Sequence, residues 1–264
     1  CKQGLHAITY FLLQKTNSSF IGITLFFHMQ LGILILAYEA EGTIGNVLAR
    51  VPEETYQLAK GVYIFDDASK DATSRVALQA KNVHKYGKKI HVFTHPKNLG
   101  YGGNQKFSYQ FAQNNGLDAV VMLHGDAQYA PELLPVIYSP ILENEADLVF
   151  GSRMSGKPIQ GKMPWYKFIG NKLLTKIQNN IVGTHFSEYH SGYRAFRTAC
   201  FNEIPLKQCT DGFHFDTQIL ILFHARKFKI KEISIPTFYG NEVSHVKIFS
   251  YGLKVLNETI QYRL

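Results

Sequence analysis

Short, continuous apolar runs alternate along the chain with segments of helical period. Such runs are typical of parallel strands that are covered on both faces. They predict five strands, at Gly32–Tyr38, Val62–Asp66, Ile90–Thr94, Ala119–His124 and Leu148–Gly151. Between the strands, apolar residues recur at helical spacing. The alternation predicts an α/β fold with a mostly parallel sheet, right-handed crossovers and helices on both faces.

After the fifth strand the pattern becomes less regular. It predicts a helix, a loop, a second helix and a strand, at Trp165–Ile181, His190–Arg194, Phe215–Ala225 and Ile230–Ile235. Apolar residues from Phe249 to Ile260 fall on one helical stripe, which suits a helix packed on the core or one lying on a membrane. We expect a single domain over residues 31–245, followed by an amphipathic C-terminal helix over residues 246–264.

An apolar run from Phe20 to Tyr38 is close to the length of a membrane-spanning helix. Its second half, from Leu31 to Ala37, has the composition of a buried strand. A strand there leaves about ten apolar residues, too few to cross a bilayer. We therefore expect a strand and no complete transmembrane segment. Residues 1–30 have neither an initiator methionine nor a clear signal-peptide pattern, so we expect a fragment whose first segment has no assigned role.

The composition is that of a globular protein, with 45% hydrophobic and 18% charged residues in 264. Its three cysteines show no metal-ligand spacing and are typical of reduced thiols in a cytosol-like compartment. The net charge of +8 is uneven. No acidic residue occurs from Leu148 to Ser187, a stretch that holds Arg153, Lys157, Lys162, Lys167, Lys172 and Lys176.

This basic stretch favours an anionic partner, such as phosphate groups, an anionic membrane surface or nucleic acid. For any single lysine, a solvated helix face is the simpler interpretation. Nucleic acid has the least support, because the stretch lacks interleaved aromatic residues in a recognised module. We expect no nucleic-acid partner.

Polar clusters follow several of the predicted strands, and ligands of parallel sheets bind at the carboxyl ends of strands. The pair Asp66–Asp67 could accept hydrogen bonds from a base N–H and a ribose hydroxyl. The alternative is that Asp66 or Ser69 caps the next helix, which we expect of Ser69. The turn Asn98–Asn104 is rich in glycine, so its backbone could approach a phosphate or a sugar closely. It could equally be only a turn.

The fourth strand ends in His124, and Asp126 and Gln128 follow at intervals of two residues. In extended backbone these three side chains point to one side and can share a divalent ion. Such an ion would also hold a diphosphate and stabilise its charge as it leaves. The alternative is that Asp126 caps the helix that begins near Pro131.

Five motifs in this order resemble those of family-2 glycosyltransferases, and most closely the dolichyl- or polyprenyl-phosphate sugar synthases. The motifs lie at residues 37–42, 65–73, 98–104, 124–131 and 151–153. The resemblance covers about Gly32 to His245. It implies a GT-A (Rossmann-like) fold, a GDP- or UDP-linked nucleotide sugar as donor, and Mg²⁺ or Mn²⁺ as cofactor.

The resemblance also assigns residues. Donor-binding residues would be Ala37, Tyr38, Glu39, Asp67, Asn98, Gly100, Gly102, Arg153, Ser244 and His245. The metal would be held by His124, Asp126 and Gln128, and the catalytic residues would be Asp126, Asp216 and Arg194. Three departures stand out: His124 replaces the first Asp of the metal motif, Glu39-Ala40 replaces the usual Asn-Glu, and Tyr239–Glu242 lacks the arginine common in this branch.

These assignments predict a metal-dependent, inverting transfer of the sugar to an acceptor. A polyprenyl phosphate is already ionised near neutral pH, so it needs no strong base, and Arg153 and Arg194 would clamp it. A saccharide hydroxyl would need Asp216 to take its proton. For Arg194, a structural ion pair is an equal alternative. With a lipid acceptor, we expect a cytoplasmic protein with peripheral contact to the cytoplasmic face of a membrane.

Two other classes stay open. A non-catalytic nucleotide-sugar-binding protein is conceivable because His124 displaces a metal carboxylate. A nucleotidylyltransferase would need Arg and Lys near the end of the first strand, and residues 37–45 contain neither.

Overall fold

The structure is a computed structural model that describes residues 29–155, 164–236 and 248–261. Its strands are β1 (Leu31–Ala37), β2 (Gly61–Asp66), β3 (Ile90–Thr94), β4 (Ala119–His124), β5 (Leu148–Ser152), β6 (Arg194–Arg197) and β7 (Ile230–Ser234). Its α-helices are α1 (Ile44–Arg50), α2 (Glu53–Leu58), α3 (Thr73–Val83), α4 (Tyr101–Asn114), α5 (Leu134–Leu142), α6 (Trp165–Val182), α7 (Phe215–Ala225) and α8 (Ile248–Gln261).

The strands of the described residues form one sheet in the order β3-β2-β1-β4-β6-β5-β7. Neighbours are parallel except at β6, which runs antiparallel to both β4 and β5. The α/β prediction is confirmed, and each predicted strand is present within about a residue at its ends. Strand β6 was not predicted, because the segment Arg194–Arg197 is four residues long and has an arginine at each end.

Two apolar layers cover the sheet, as expected from its continuous hydrophobic strands. On one face, α1 and α5 pack against alternate strand residues such as Ile33 and Val121. On the other, α4 and α7 pack an aromatic-rich layer against Val120 and Phe196. Helices therefore lie on both faces, and the ligand-facing loops are left at the carboxyl edge.

Helix α8 contacts α6 and α7. Val255 and Thr259 of α8 are fully buried, and Gln178 of α6 donates a hydrogen bond to Thr259 Oγ1 (3.4 Å). The sequence allowed two roles for this amphipathic helix: packing on the core or lying on a membrane. Its described buried face packs on the core. No helix among the described residues is long and apolar enough to span a bilayer.

Candidate functional site

The carboxyl ends of β1, β2 and β4 lie side by side. Register pairs Ala37 with Asp66 and Leu36 with His124, so the three strands end at one level. The loop after β1 is tied to the loop after β2, since the Glu39 N–H donates to Ser69 Oγ (2.8 Å). Glu39 has φ 49°, and its neighbour Tyr38 exposes 44% of its surface. The loop therefore offers an exposed aromatic ring above a fixed backbone.

The two aspartates after β2 have different partners. Asp66 accepts hydrogen bonds from the Ser69 N–H (3.3 Å) and the Ser74 hydroxyl (2.6 Å). These bonds hold the loop after β2 in place. Neither bond is to a backbone N–H of α3, so Asp66 does not cap that helix, and nucleoside binding by the Asp66–Asp67 pair stays a prediction. Asp67 is 4% exposed, and burial raises the pKa of its carboxyl group.

Asp67 organises the glycine-rich turn. Its two carboxylate oxygens accept the N–H groups of Leu99 (2.7 Å) and Gly100 (3.0 Å), and its backbone carbonyl accepts the Asn98 amide (3.0 Å). The sequence could not indicate this use, because the partners lie about thirty residues apart. A donor-binding role for Asp67 and Asn98 stays a prediction, and the turn that they build is a finding.

The glycines of this turn approach protein backbone, not the open site. A Cβ on Gly100, whose φ is +79°, would lie 2.7 Å from Asp211 O, and one on Gly102 would lie 2.3 Å from Thr210 O. The Gly102 N–H donates to Asp211 O at 2.7 Å. The absence of a Cβ at Gly100 and Gly102 therefore lets α4 approach residues 210–211, and the donor-binding role of these glycines stays a prediction.

Tyr101, which was not predicted as a site residue, joins two that were. Its hydroxyl lies 2.7 Å from Asp216 Oδ2 and 3.2 Å from His124 Nε2. The other oxygen of Asp216 accepts the Gln105 amide (3.2 Å), and Asp216 is 3% exposed. A Cβ on Gly192 would lie 2.4 Å from the Tyr101 hydroxyl, so only glycine leaves room for this cluster.

The hydrogen bonds of this cluster assign the tautomer of His124. Burial and the charge of Asp216 raise the pKa of Tyr101 well above 10, so its hydroxyl keeps its proton. The single O–H donates to the Asp216 carboxylate, because a carboxylate only accepts. His124 must then donate its Nε2–H to the tyrosine oxygen. This leaves the lone pair of a neutral His124 on Nδ1.

Asp126 is half-buried, and one of its carboxylate oxygens is available for a ligand. Its Oδ1 accepts the Gln128 N–H (3.0 Å), and its Oδ2 has no hydrogen-bond partner among the described residues. The described ranges contain no ready group of three His, Cys, Asp or Glu side chains that could hold a metal. His124 Nδ1 and Asp126 Oδ2 are suitable nitrogen and oxygen donors for a divalent ion whose remaining ligands come from a bound anion.

Arg194 does not face the site. It is fully buried, and its guanidinium donates to the carbonyls of Tyr189 (2.9 Å), Ser191 (2.7 Å) and Asp216 (2.7 Å). The structure therefore corrects both interpretations of this residue: it neither clamps an acceptor phosphate nor forms the expected ion pair, but fixes the loop that precedes β6 and the start of α7.

Arg153 lies at the end of β5 and is partly exposed. Its guanidinium pairs with Glu188, which is fully buried. Burial alone would raise the pKa of Glu188, but the charge of Arg153 and the hydrogen bonds that it donates outweigh that effect together and lower the pKa. Glu188 is the first acidic residue after the basic stretch, and that position was the only sequence signal for it. The donor-binding role of Arg153 stays a prediction. Ser244 and His245 lie outside the described residues.

Comparison with known proteins places this geometry in a family. The sequence profile of glycosyl transferase family 2 matches residues 32–204, more than half of the chain. An uncharacterized protein of Methanocaldococcus jannaschii is 27% identical over 96% of this chain and 99% of its own length. The UDP-N-acetylglucosamine–dolichyl-phosphate N-acetylglucosaminyltransferase of Methanococcus voltae is 26% identical over 78% of this chain and 85% of its own.

The fold has a counterpart among solved structures. Glucosyl-3-phosphoglycerate synthase from Mycobacterium tuberculosis, in complex with Mn²⁺ and UDP-glucose, superposes with a TM-score of 0.69. That match covers 90% of this chain and 80% of the synthase at 17% identity, so it concerns the fold alone. Taken with the profile match and the arrangement of loops at the carboxyl edge, the chain is a glycosyltransferase with the GT-A fold and belongs to glycosyl transferase family 2.

Proposed function

We propose that this enzyme transfers a sugar, with inversion, from a UDP-linked donor to a polyprenyl phosphate. The observation that carries the choice of acceptor is the state of Asp216. Both of its carboxylate oxygens already accept hydrogen bonds, and the residue is 3% exposed. A saccharide hydroxyl needs an open general base, whereas a phosphate monoester, with a second pKa of about 6, is ionised without one.

Two of the similar proteins support this assignment through their names. The Methanococcus voltae relative is named for transfer from a UDP-sugar to dolichyl phosphate. The Mycobacterium tuberculosis synthase was solved with Mn²⁺ and UDP-glucose, which favours Mn²⁺ or Mg²⁺ and uridine over guanosine. Both are distant from this chain, so they support a class of donor and acceptor and no particular sugar.

Different residues of the chain would bind the donor, the metal and the acceptor. Tyr38 offers its exposed ring to the uracil, Glu39 lies beside it for the nucleoside, and Asp67 fixes the turn next to them. Asp126 Oδ2 and His124 Nδ1 would hold the metal, with Gln128 next to them and Asp216 fixing His124 through Tyr101. When bound, the metal supplies positive charge to the departing diphosphate. Arg153 lies at the acceptor side, where its guanidinium favours an anionic group.

The test is a transfer assay with UDP- and GDP-sugars, with Mg²⁺ or Mn²⁺, and with or without a polyprenyl phosphate. We expect transfer that requires the lipid phosphate and falls about a hundredfold in Asp126→Ala. The control variant Glu203→Ala, which removes an exposed carboxylate that follows β6 in the chain, should retain transfer. Efficient transfer to a saccharide hydroxyl would refute the acceptor, and donor binding without any turnover would favour a binding protein.

A further inference from the structure

Helix α6 exposes large apolar side chains that nothing in the described chain covers. Trp165 is 71% exposed, Ile169 55% and Leu173 59%, at intervals of four residues, with Tyr166 alongside at 52%. Because α6 turns once every 3.6 residues, these side chains lie along one face. The opposite face is buried, with Gln178 hydrogen-bonded to α8. A contiguous exposed apolar face of this kind marks an interaction surface.

Basic side chains share this face. Lys172 and Lys176 are exposed and lie between the apolar positions of the same helical face. Helix α6 itself carries no acidic residue, since none occurs from Leu148 to Ser187. The Lys172 ammonium lies 4.9 Å from the centroid of the Phe168 ring, so its stem runs along apolar surface. The face therefore combines apolar residues, interfacial aromatics and positive charge.

A groove beside this face suits anionic head groups. It has a volume of about 780 Å³ and lies between the second half of α6 and the loop that follows. Lys172, Lys176 and His185 line it, together with the amide side chain of Asn180, whereas the Ser187 hydroxyl at its edge already donates to Glu232. Lysine ammonium groups and amides bind phosphate oxygens. The groove thus provides phosphate ligands next to the apolar side chains.

We propose that α6 lies in the surface of an anionic bilayer, with Trp165, Ile169 and Leu173 among the acyl chains and the lysines at the phosphates. Tryptophan and tyrosine prefer this interfacial depth, and basic residues on an amphipathic helix bind anionic lipids. A second copy of the chain is disfavoured as the occupant, because an isologous dimer through this face would bring two basic surfaces together.

This orientation has a consequence for the active site, and that part rests on the proposed function. Met154, which lines the groove, directly follows Arg153 at the end of β5. A bilayer against α6 therefore places lipid head groups next to Arg153. A polyprenyl phosphate could then reach the acceptor side without leaving the membrane.

The test is co-sedimentation of the full chain with vesicles of phosphatidylcholine containing about 30% phosphatidylglycerol, and with phosphatidylcholine alone. We expect binding to the anionic vesicles that weakens in about 0.5 M salt. Replacing Trp165, Ile169 and Leu173 with serine should lower the partition coefficient about tenfold or more. The matched control replaces Leu78, Val83 and Val136, which are 45%, 87% and 51% exposed elsewhere, and should bind like the parent.

Several results would overturn the inference. They are absence of vesicle binding, equal loss in the test and control variants, or a dimer in light scattering that only the α6 variant dissociates. Far-ultraviolet circular dichroism checks that each variant folds. Vesicle binding needs neither donor nor turnover, so it can succeed if the proposed function fails. Conversely, transfer to a short-chain, water-soluble polyprenyl phosphate without vesicle binding would retain the function and refute the surface.

Discussion

The turn after β2 and the turn after β4 carry similar residues at the same edge of the sheet but use them differently. Asp67, after β2, gives both carboxylate oxygens to the N–H groups of the glycine-rich turn. Asp126, after β4, gives one oxygen to Gln128 and retains the other. Polar residues at strand ends are therefore not equivalent: some build the walls of a site, and others remain available for its ligand.

The largest effect on stability should come from a wall residue. Arg194→Met removes the side-chain hydrogen bonds to three buried carbonyls, so we expect the free energy of unfolding to fall by about 3 kcal/mol. Urea denaturation measures this. Arg226→Met, at an exposed arginine, should change stability by less than about 0.5 kcal/mol. Similar losses in the two variants would contradict the assigned role of Arg194.

The contrast between Asp67 and Asp126 can be tested directly. Asp126→Ala should lower transfer about a hundredfold, or about 2.7 kcal/mol, because it removes a metal ligand, and should leave stability nearly unchanged. Asp67→Ala should instead destabilise the fold by about 2 kcal/mol, because the partly buried Leu99 N–H loses its acceptor and the Gly100 N–H keeps only Asn98 Oδ1. Turnover and stability to urea are measured for both variants. A loss of stability in Asp126→Ala with a loss of turnover alone in Asp67→Ala would contradict these roles.

The glycine-rich turn provides a packing test. Gly102→Ala would place a methyl group 2.3 Å from Thr210 O, so we expect a loss of about 2 kcal/mol in stability. Gly170→Ala is the matched control: it adds the same methyl group in a helix with nothing within 4 Å, and should be neutral or slightly stabilising. Thermal unfolding compares the two. A tolerated Gly102→Ala would mean that α4 can move away from residues 210–211.

The smallest expected effect concerns the Tyr101 hydroxyl, which connects His124 with Asp216. Tyr101→Phe removes one buried hydrogen bond to Asp216 and should cost about 1 kcal/mol in stability. It also releases the His124 tautomer, so the imidazole ¹⁵N shifts of His124 should change from an Nε2–H pattern to a mixture. The signal is assigned by its loss in His124→Gln. Unchanged shifts would show that Tyr101 does not set the tautomer.

Most of the parallel part of the fold could be predicted from sequence because β1, β2, β4 and β5 are largely apolar runs of five to seven residues. Two elements were not predicted, and each has a physical reason. Strand β6 is short and polar at its ends, and pairs through partners that lie far apart in the chain. Helix α2 has six residues, too few for a helical period to stand out.

The candidate site was predicted in part. The loops after β1, β2 and β4 lie together as the α/β pattern implies. The pattern could not reveal which side chains are already occupied, because that depends on contacts between distant residues. Tyr101 and Asp216 lie 115 residues apart, and the three acceptors of Arg194 include a residue of another element. Local motifs identify the loops, and tertiary hydrogen bonds assign the roles.

The position of β6 also orders the assembly of the protein during synthesis. Strands β1 to β4 pair with one another, whereas β5 pairs only with β6 and β7 among the described strands. It must therefore wait, apolar and unpaired, until the ribosome has made some forty further residues. Such delayed strands are slow to pair and prone to aggregate. We therefore expect β5, β6 and β7, three of the seven described strands, to join the sheet last, and Arg194, the first residue of β6, to enter the core at that step.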